Sequence, residues 1–328
     1  MKTLVSNFTN QIKEATQIGE KANFNPTNKN ISSVLICGLG GSGIGGTIIN
    51  LLLKAEINIP VSTTNDYSIP NFVNENTLVI ASSYSGNTEE TLAAVKESEN
   101  RGAEIVAITS GGELLNLALA NNWNHFVVPG GEQPRGMLAY SLVQQLFIFQ
   151  KYKLIATNYT STLSEIIELV DNNGDSIQDE AMQLAKNIHN KQLVIYGEAS
   201  LEGVLVRFRQ QINENAKELC WHHILPEMNH NELVGWAGGT SNQAVVKLNS
   251  SFDFYRTQKR WDICKEIIEG KTDSIYEINA KGSTKLIQVF YLIHLTDWIS
   301  CFLADLKNVD PIEVDVIIHL KSELNKLK

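Results

Sequence analysis

Two loops carry most of the chemistry legible in this chain. The first is Gly38-Leu39-Gly40-Gly41-Ser42-Gly43-Ile44-Gly45-Gly46, between a predicted strand (Val34–Cys37) and a predicted helix through Lys54. Glycines let a backbone come close to an anion, and a helix start offers it unpaired N–H groups. Gly38, Gly40 and Gly43 also satisfy the GxGxxG of a dinucleotide site. That fingerprint wants an acidic residue about 20 positions on, at the end of the next strand. Here Ile57-Asn58-Ile59-Pro60-Val61 stands there, with Glu56 before it and Asp66 after it. No Gly-Lys-Ser/Thr follows in this loop, which excludes a nucleotide P-loop here. Taken alone, this loop fits an anion site, a dinucleotide site or a tight packing turn.

The second loop, Ser82-Ser83-Tyr84-Ser85-Gly86-Asn87-Thr88-Glu89-Glu90-Thr91, decides among them. Ser83, Ser85 and Thr88 place three hydroxyls within six residues. Thr88 falls at an N-cap position, with acidic residues in the turn after it. A capped helix after a polar turn accounts for Thr88 and one serine, but not for the whole set. Hydroxyls and N–H groups converging on a helix start bind phosphate without Lys or Arg. Gly41, Ser42, Ser83, Ser85 and Thr88 are therefore the candidate phosphate cradle.

Other reactive side chains are sparser. Glu214 lies in Gln210-Gln211-Ile212-Asn213-Glu214-Asn215-Ala216-Lys217, off the buried stripe of Val204, Phe208 and Ile212. Its ordinary reading is a solvated carboxylate paired with Lys217 at i, i+3. His230 follows sixteen positions later in a polar stretch, where histidines are usually solvated. His222 and His223, next to Trp221, read as packing or polar-network residues. Arg135 sits between a strand end and a helix, fixed by Pro134 and Gly136. A helix start disfavours a cation, so its placement asks for a reason. Lys321 alone reads as an ordinary last-turn lysine.

Gly40-Gly41-Ser42-Gly43 followed by Ser83-Tyr84-Ser85-Gly86-Asn87-Thr88-Glu89-Glu90-Thr91 resembles the SIS (sugar isomerase) domain, whose loops hold a sugar's phosphate. The paired-domain length resembles the phosphoglucose isomerase superfamily, most closely its short bifunctional phosphoglucose/phosphomannose isomerases. The resemblance covers about residues 31–328. It implies aldose–ketose isomerisation of glucose 6-phosphate, and of mannose 6-phosphate, to fructose 6-phosphate through an enediolate, without metal or nucleotide cofactor. Asn213-Glu214-Asn215-Ala216-Lys217 looks like the family's base motif, with Glu214 as the C1/C2 base. Met228-Asn229-His230-Asn231-Glu232-Leu233-Val234-Gly235-Trp236 looks like the segment carrying the ring-opening histidine, which in relatives comes from the other subunit of a homodimer. The match also assigns Arg135 to the enediolate and Lys321 to closing the site. Ile312 and Glu313 depart from the threonine and proline that relatives carry after Asp310-Pro311. Two other readings stay open: an amino-sugar isomerase of the same fold, and a sugar-phosphate sensor. A sensor would need the loops but neither Glu214 nor His230.

The elements that must position these groups read as α/β. Strands at 34–37, 77–81, 104–109 and 125–128 alternate with helical patterns, which means parallel sheets with right-handed crossovers. Val194-Ile195-Tyr196-Gly197 echoes Leu35-Ile36-Cys37-Gly38 at an offset of 159, and strands recur at 244–248 and 274–278. The expected organisation is two tandem SIS-type domains, each a mainly parallel sheet flanked by helices. A helix and linker occupy 1–30, the phosphate-loop domain 31–170, and the Glu214/His230 domain with its C-terminal helix 171–328. Asp171-Asn172-Asn173-Gly174-Asp175 is the predicted break between the two. The 328 residues are 43% hydrophobic and 19% charged, a globular composition. A net charge of −9 lacks the basic footprint of a nucleic-acid binder. The four cysteines lack metal spacing, and Cys37 and Cys301 sit in apolar runs, as expected in a reducing compartment. The first residues lack an apolar secretory core and no uninterrupted apolar run spans a bilayer, so a cytoplasmic protein without membrane contact is expected.

Overall fold

The computed structural model describes residues 1–327. α1 (Lys2–Ser6) and α2 (Phe8–Lys21) form an amphipathic N-terminal unit interrupted only at Asn7, with Val5, Phe8, Ile12 and Ala15 buried. The first sheet follows: β1 (Ser33–Cys37), α3 (Gly40–Leu53), β2 (Val61–Thr64), β3 (Thr77–Ser82), α4 (Glu89–Asn100), β4 (Glu104–Thr109), α5 (Gly112–Ala120) and β5 (Asn124–Val127). Its strand order is β2-β1-β3-β4-β5, all parallel. α6 (Leu138–Lys151) and α7 (Thr160–Ile188) lead to the second sheet. There β6 (Gln192–Glu198), α8 (Glu202–Ala216), β7 (Trp221–Leu225), α9 (Glu232–Gly235), β8 (Gln243–Asn249), α10 (Tyr255–Glu269) and β9 (Ile275–Asn279) build the order β7-β6-β8-β9, again parallel. α11 (Lys285–Lys307) and α12 (Asp315–Leu324) complete the chain.

The second sheet repeats the order of the first four strands of the first, with β6 in the place of β1. The echo between Leu35–Gly38 and Val194–Gly197 is therefore topological as well as compositional. The central strands β1 and β3 are buried at every position, so they read as continuous apolar runs. The edge strands β2 (Val-Ser-Thr-Thr) and β7 (Trp-His-His-Ile-Leu) are mostly half-exposed and lack that signal, so the pattern misses them.

One expectation is corrected. α7 runs unbroken through Asp171–Asp175, and the chain leaves helical geometry at 152–159 instead. Leu163, Ile166, Val170, Ile177 and Ala181 keep a buried helical stripe across the pentapeptide, against α11. Lys13 pairs with Asp171 at 3.3 Å, and the Asn173 amide donates to the Leu169 carbonyl at 2.7 Å. Tertiary packing thus overrides the weak helix propensity of Asn, Asp and Gly.

α11 is the axis of the molecule. Every residue from Leu286 to Ala304 is buried, and the helix packs on α7 and α8. By length and hydropathy it could cross a membrane, but its apolar stretch is wholly enclosed by protein. Its His294 stacks on Phe8 at 5.0 Å and accepts a hydrogen bond from Trp298 Nε1 at 3.2 Å. Burial depresses its pKa to about 4. Between that value and about 6.5 the unfolded chain binds a proton that the folded chain refuses, so stability falls as pH drops through this window. His294→Phe should flatten the pH dependence of urea unfolding there by up to about 1.4 kcal/mol per pH unit. Identical slopes in the two proteins would remove His294 as the source.

Candidate active site

The hydroxyl loop leaves β3 at Ser82 and enters α4 at Glu89. Ser83 is buried, and its Oγ lies 2.9 Å from Thr88 Oγ1. Thr88 holds the N-cap position of α4, yet its side chain caps nothing and turns to Ser83 instead. Ser85 faces solvent and accepts the Asn87 N–H at 3.2 Å. The Tyr84 N–H donates to Ser42 Oγ at 3.1 Å, which joins this loop to the glycine loop. Ser42, Ser83, Ser85 and Thr88 are thus brought together at the C-terminal ends of β1 and β3. Strand order reverses between these two strands, the usual place for a ligand in such a sheet.

The glycine loop also reaches Arg135. A Cβ on Gly41 would stand 3.2 Å from both the Arg135 Cα and the Pro134 carbonyl, so a side chain there would push the two segments apart. Arg135 is buried in the short turn Pro134–Gly136. Its Nε donates to Asn215 Oδ1 at 2.9 Å and its Nη1 to Gln133 Oε1 at 3.1 Å. Nη2 donates to the carbonyls of Pro311 (2.5 Å) and Ile312 (3.3 Å). Nη1 also lies 3.2 Å from Glu214 Oε2. Burial lowers the pKa of this guanidinium, and the Glu214 carboxylate opposes that shift. The reason for a cation at this helix start is therefore the anionic partner delivered by α8.

α8 comes from the second sheet and must approach closely. A Cβ on Gly203 would meet Ile48 of α3 at 2.7 Å, so glycine sets the spacing of the two helices. Three polar residues spaced by four, Arg207, Gln211 and Asn215, then run down one buried face of α8. Arg207 Nη2 donates to Asp297 Oδ2 at 2.6 Å and to the backbone carbonyl of Arg135 at 2.8 Å. Gln211 donates to Asp297 Oδ1 at 3.0 Å, and Asn215 Nδ2 to Ser300 Oγ at 2.9 Å. Sequence reasoning missed all of these. The available signals were the i, i+4 polar stripe on α8 and a lone Asp within the apolar α11.

The Glu214–Lys217 pair expected at i, i+3 does not form between side chains. Lys217 Nζ donates instead to the backbone carbonyls of Glu214 (2.6 Å) and Glu313 (2.5 Å). The departures at Ile312 and Glu313 thus touch this centre through main-chain oxygens, and Glu313 also through its carboxylate, 3.8 Å from Lys217 Nζ. His230 and Lys321 are not joined to it within one chain. His230 is exposed in the turn Glu227–His230, and Lys321 is exposed on α12. His223 joins a polar network, donating from Nδ1 to Glu232 Oε2 at 2.7 Å, while Glu232 Oε1 accepts from Tyr196 and Trp221. Burial, with Arg209 and His223 nearby, depresses His222 to about 4.

In the second sheet, backbone N–H groups at the corresponding place are already engaged. The loop after β8 is occupied by the chain's own carboxylates. Glu198 Oε1 accepts the Phe254 N–H at 2.8 Å, at the start of α10. Asp253 Oδ2 accepts the Ser250 N–H at 3.1 Å and lies 3.7 Å from buried Lys247.

Asp297→Ala would leave the Arg207 guanidinium buried and unpaired. It should cost about 3–5 kcal/mol in urea unfolding. The double variant Arg207→Met/Asp297→Leu should recover most of that loss, and equal stability of the single variant and the parent would contradict the pairing.

Comparison with known proteins gives the family of the chain. Residues 29–152 match the SIS domain family, and residues 177–324 match the bacterial phospho-glucose isomerase C-terminal SIS domain. The chain is 36% identical to a bifunctional phosphoglucose/phosphomannose isomerase of Caldicellulosiruptor bescii, over 99% of this chain and 98% of that one. It is 35% identical to the protein of the same name in Aquifex aeolicus, over 89% and 90%. A D-glucosamine-6-phosphate 4-epimerase of Sulfolobus acidocaldarius is 32% identical over 67% of this chain and 69% of its own. In fold, the chain is similar to the C-terminal domain of glucosamine-fructose-6-phosphate aminotransferase from Francisella tularensis, with a TM-score of 0.76 at 13% identity over 94% and 98% of the two chains. With two SIS domains in tandem and relatives of 35–36% identity over most of its length, the chain belongs to the bifunctional phosphoglucose/phosphomannose isomerase family.

Proposed function

We propose that this chain interconverts glucose 6-phosphate and mannose 6-phosphate with fructose 6-phosphate, using Glu214 as the proton carrier between C1 and C2. The observation that carries the reading is the Arg135–Glu214 pair at 3.2 Å, one loop contact from the phosphate cradle. A sensor needs the cradle alone. With the phosphate at Ser42, Ser83, Ser85 and Thr88, the far end of an open-chain hexose points toward that pair. Glu214 takes the C2 proton, the C1–C2 double bond forms, and O1 takes up the negative charge beside the guanidinium. A buried cation aimed where charge develops stabilises the transition state. Transfer of the O2 proton to O1 moves the charge to O2, and return of the carried proton from Glu214 to C1 then gives the C2 carbonyl of the ketose. Glucose and mannose 6-phosphates differ only at C2, which is planar in the enediolate, so one intermediate serves both.

His230 is assigned to ring opening in the site of a second copy of the chain. Its exposure, and the lack of a hydrogen-bond partner among the described residues, support that role. α12 has no buried residue and exposes Val316, Ile318 and Leu320 beside Lys321, as fits a helix covered in a homodimer. Lys321 is assigned to closing the site. The four cysteines are unpaired, which supports a cytoplasmic setting.

Glu214→Gln should bind sugar phosphate normally but slow isomerisation by about 10²–10⁴-fold. It should also lose exchange of the C2 proton with solvent, measured by NMR in D2O; retained exchange would remove the base assignment. Ser85→Ala should weaken sugar-phosphate binding by about 1.5–3 kcal/mol with little effect on stability. Mixed subunits of Glu214→Gln and His230→Ala, with exchange verified by native mass spectrometry, should regain activity that neither variant has alone. Exchange without recovery would contradict the shared histidine.

A further inference from the structure

A cleft of about 130 Å³ lies between the glycine loop and α8, apart from the Arg135 contact. Gly41 faces Pro134 and Arg135, whereas Gly38, Gly40 and Gly43 line this cleft with bare backbone. Gln210 of α8 and Thr47 of α3 line it too. Both are half-buried, and neither side chain has a hydrogen-bond partner among the described residues. The contrast with the next residue is informative: Gln211 is buried and committed to Asp297. Gln210 stands four residues before Glu214, so the two share one face of the helix about 6 Å apart along its axis.

From this geometry we propose that Gln210 and Thr47 form a hydroxyl-reading subsite for the middle of the sugar, the C3–C4 diol. The inference rests on the isomerase reading above. The cradle fixes C6 through its phosphate, and Glu214 with Arg135 fixes C1 and C2. What remains to be placed is C3 to C5. A cavity of about 150 Å³ takes a benzene-sized group, so this cleft takes the middle of a hexose phosphate rather than the whole of it. A primary amide suits a vicinal diol, because its N–H donates to one hydroxyl oxygen while its carbonyl accepts from the next hydroxyl. The Thr47 hydroxyl can serve either oxygen.

Such a subsite has a consequence for specificity. Glucose, mannose and fructose 6-phosphates have the same configuration at C3, C4 and C5. A site that reads C3 and C4 accepts all three and rejects a C4 epimer, because a misplaced hydroxyl leaves the amide unpaired. Tolerance at C2 and strictness at C4 then come from different parts of one pocket.

The test uses the full-length enzyme with Gln210→Leu and, independently, Thr47→Val, both of similar volume to the parent side chains. Contacts held equally in ground and transition states move KM and spare kcat. Gln210→Leu should raise KM about 10-fold for all three sugar phosphates, with kcat within about threefold, as for one lost hydrogen bond. 3-Deoxy- or 4-deoxyglucose 6-phosphate should suffer a similar penalty with the parent enzyme and almost none with Gln210→Leu, a coincidence that a merely structural role would not produce. Preference for glucose 6-phosphate over its C4 epimer, galactose 6-phosphate, should shrink in parallel. If Gln210→Leu fails to fold, Thr47→Val carries the same comparison. A parent enzyme that isomerises none of the sugars would overturn the isomerase reading itself. An active parent whose variants keep its KM, or keep its full deoxy-sugar penalty, would overturn the subsite alone.

Discussion

The arrangement of the site depends on one buried ion pair, Arg207 with Asp297. Arg207 is 2% exposed and Asp297 5% exposed, so both charges are withdrawn from water. Such a pair is weak evidence for stability, because desolvation offsets most of its attraction. Its geometry matters more here. The guanidinium that binds Asp297 also binds the backbone carbonyl of Arg135, and the Asp297 carboxylate also binds Gln211. Helix α8, helix α11 and the Arg135 turn are thereby held in one register. Glu214 lies two turns beyond Arg207 on α8, so its position relative to Arg135 follows from the same contact.

Arg135 shows how a cation is kept in the interior. Its donors face an amide oxygen from Asn215, another from Gln133, two backbone carbonyls and a single carboxylate. Neutral acceptors fix the plane of the guanidinium without neutralising it. The one carboxylate at the group, Glu214 at 3.2 Å, then balances its charge.

The second sheet repeats the order of the first four strands of the first, but the loops at the strand ends differ. At the first, the loop after β3 keeps Ser85 free toward solvent and leaves the start of α4 uncapped by side chains. At the second, Glu198 and Asp253 already accept the backbone N–H groups after β8. A carboxylate held there repels and displaces an incoming phosphate. The second half instead supplies α8, whose close packing on α3 at Gly203 carries Glu214 and Gln210 across to the loops of the first half.

The sequence by itself determined the features whose physics is local. The hydroxyl and glycine loops were legible because every group in each lies within ten residues, between a fully apolar strand and a helix start. The central strands and the amphipathic helices were legible from their periods. Glu214 was legible only through the resemblance of its motif, since its charge and exposure alone fit a surface residue. The tertiary structure decided the rest. It paired Glu214 with Arg135 rather than Lys217, and placed β2 and β7 on sheet edges where apolar patterning fades. It also carried α7 through Asp171–Asp175 because the stripe on either side must reach α11. The partners of Arg135 and Arg207 lie 72 to 177 residues away along the chain, apart from Gln133. Pairings at that range follow from which helices pack together, and no local period or propensity encodes them.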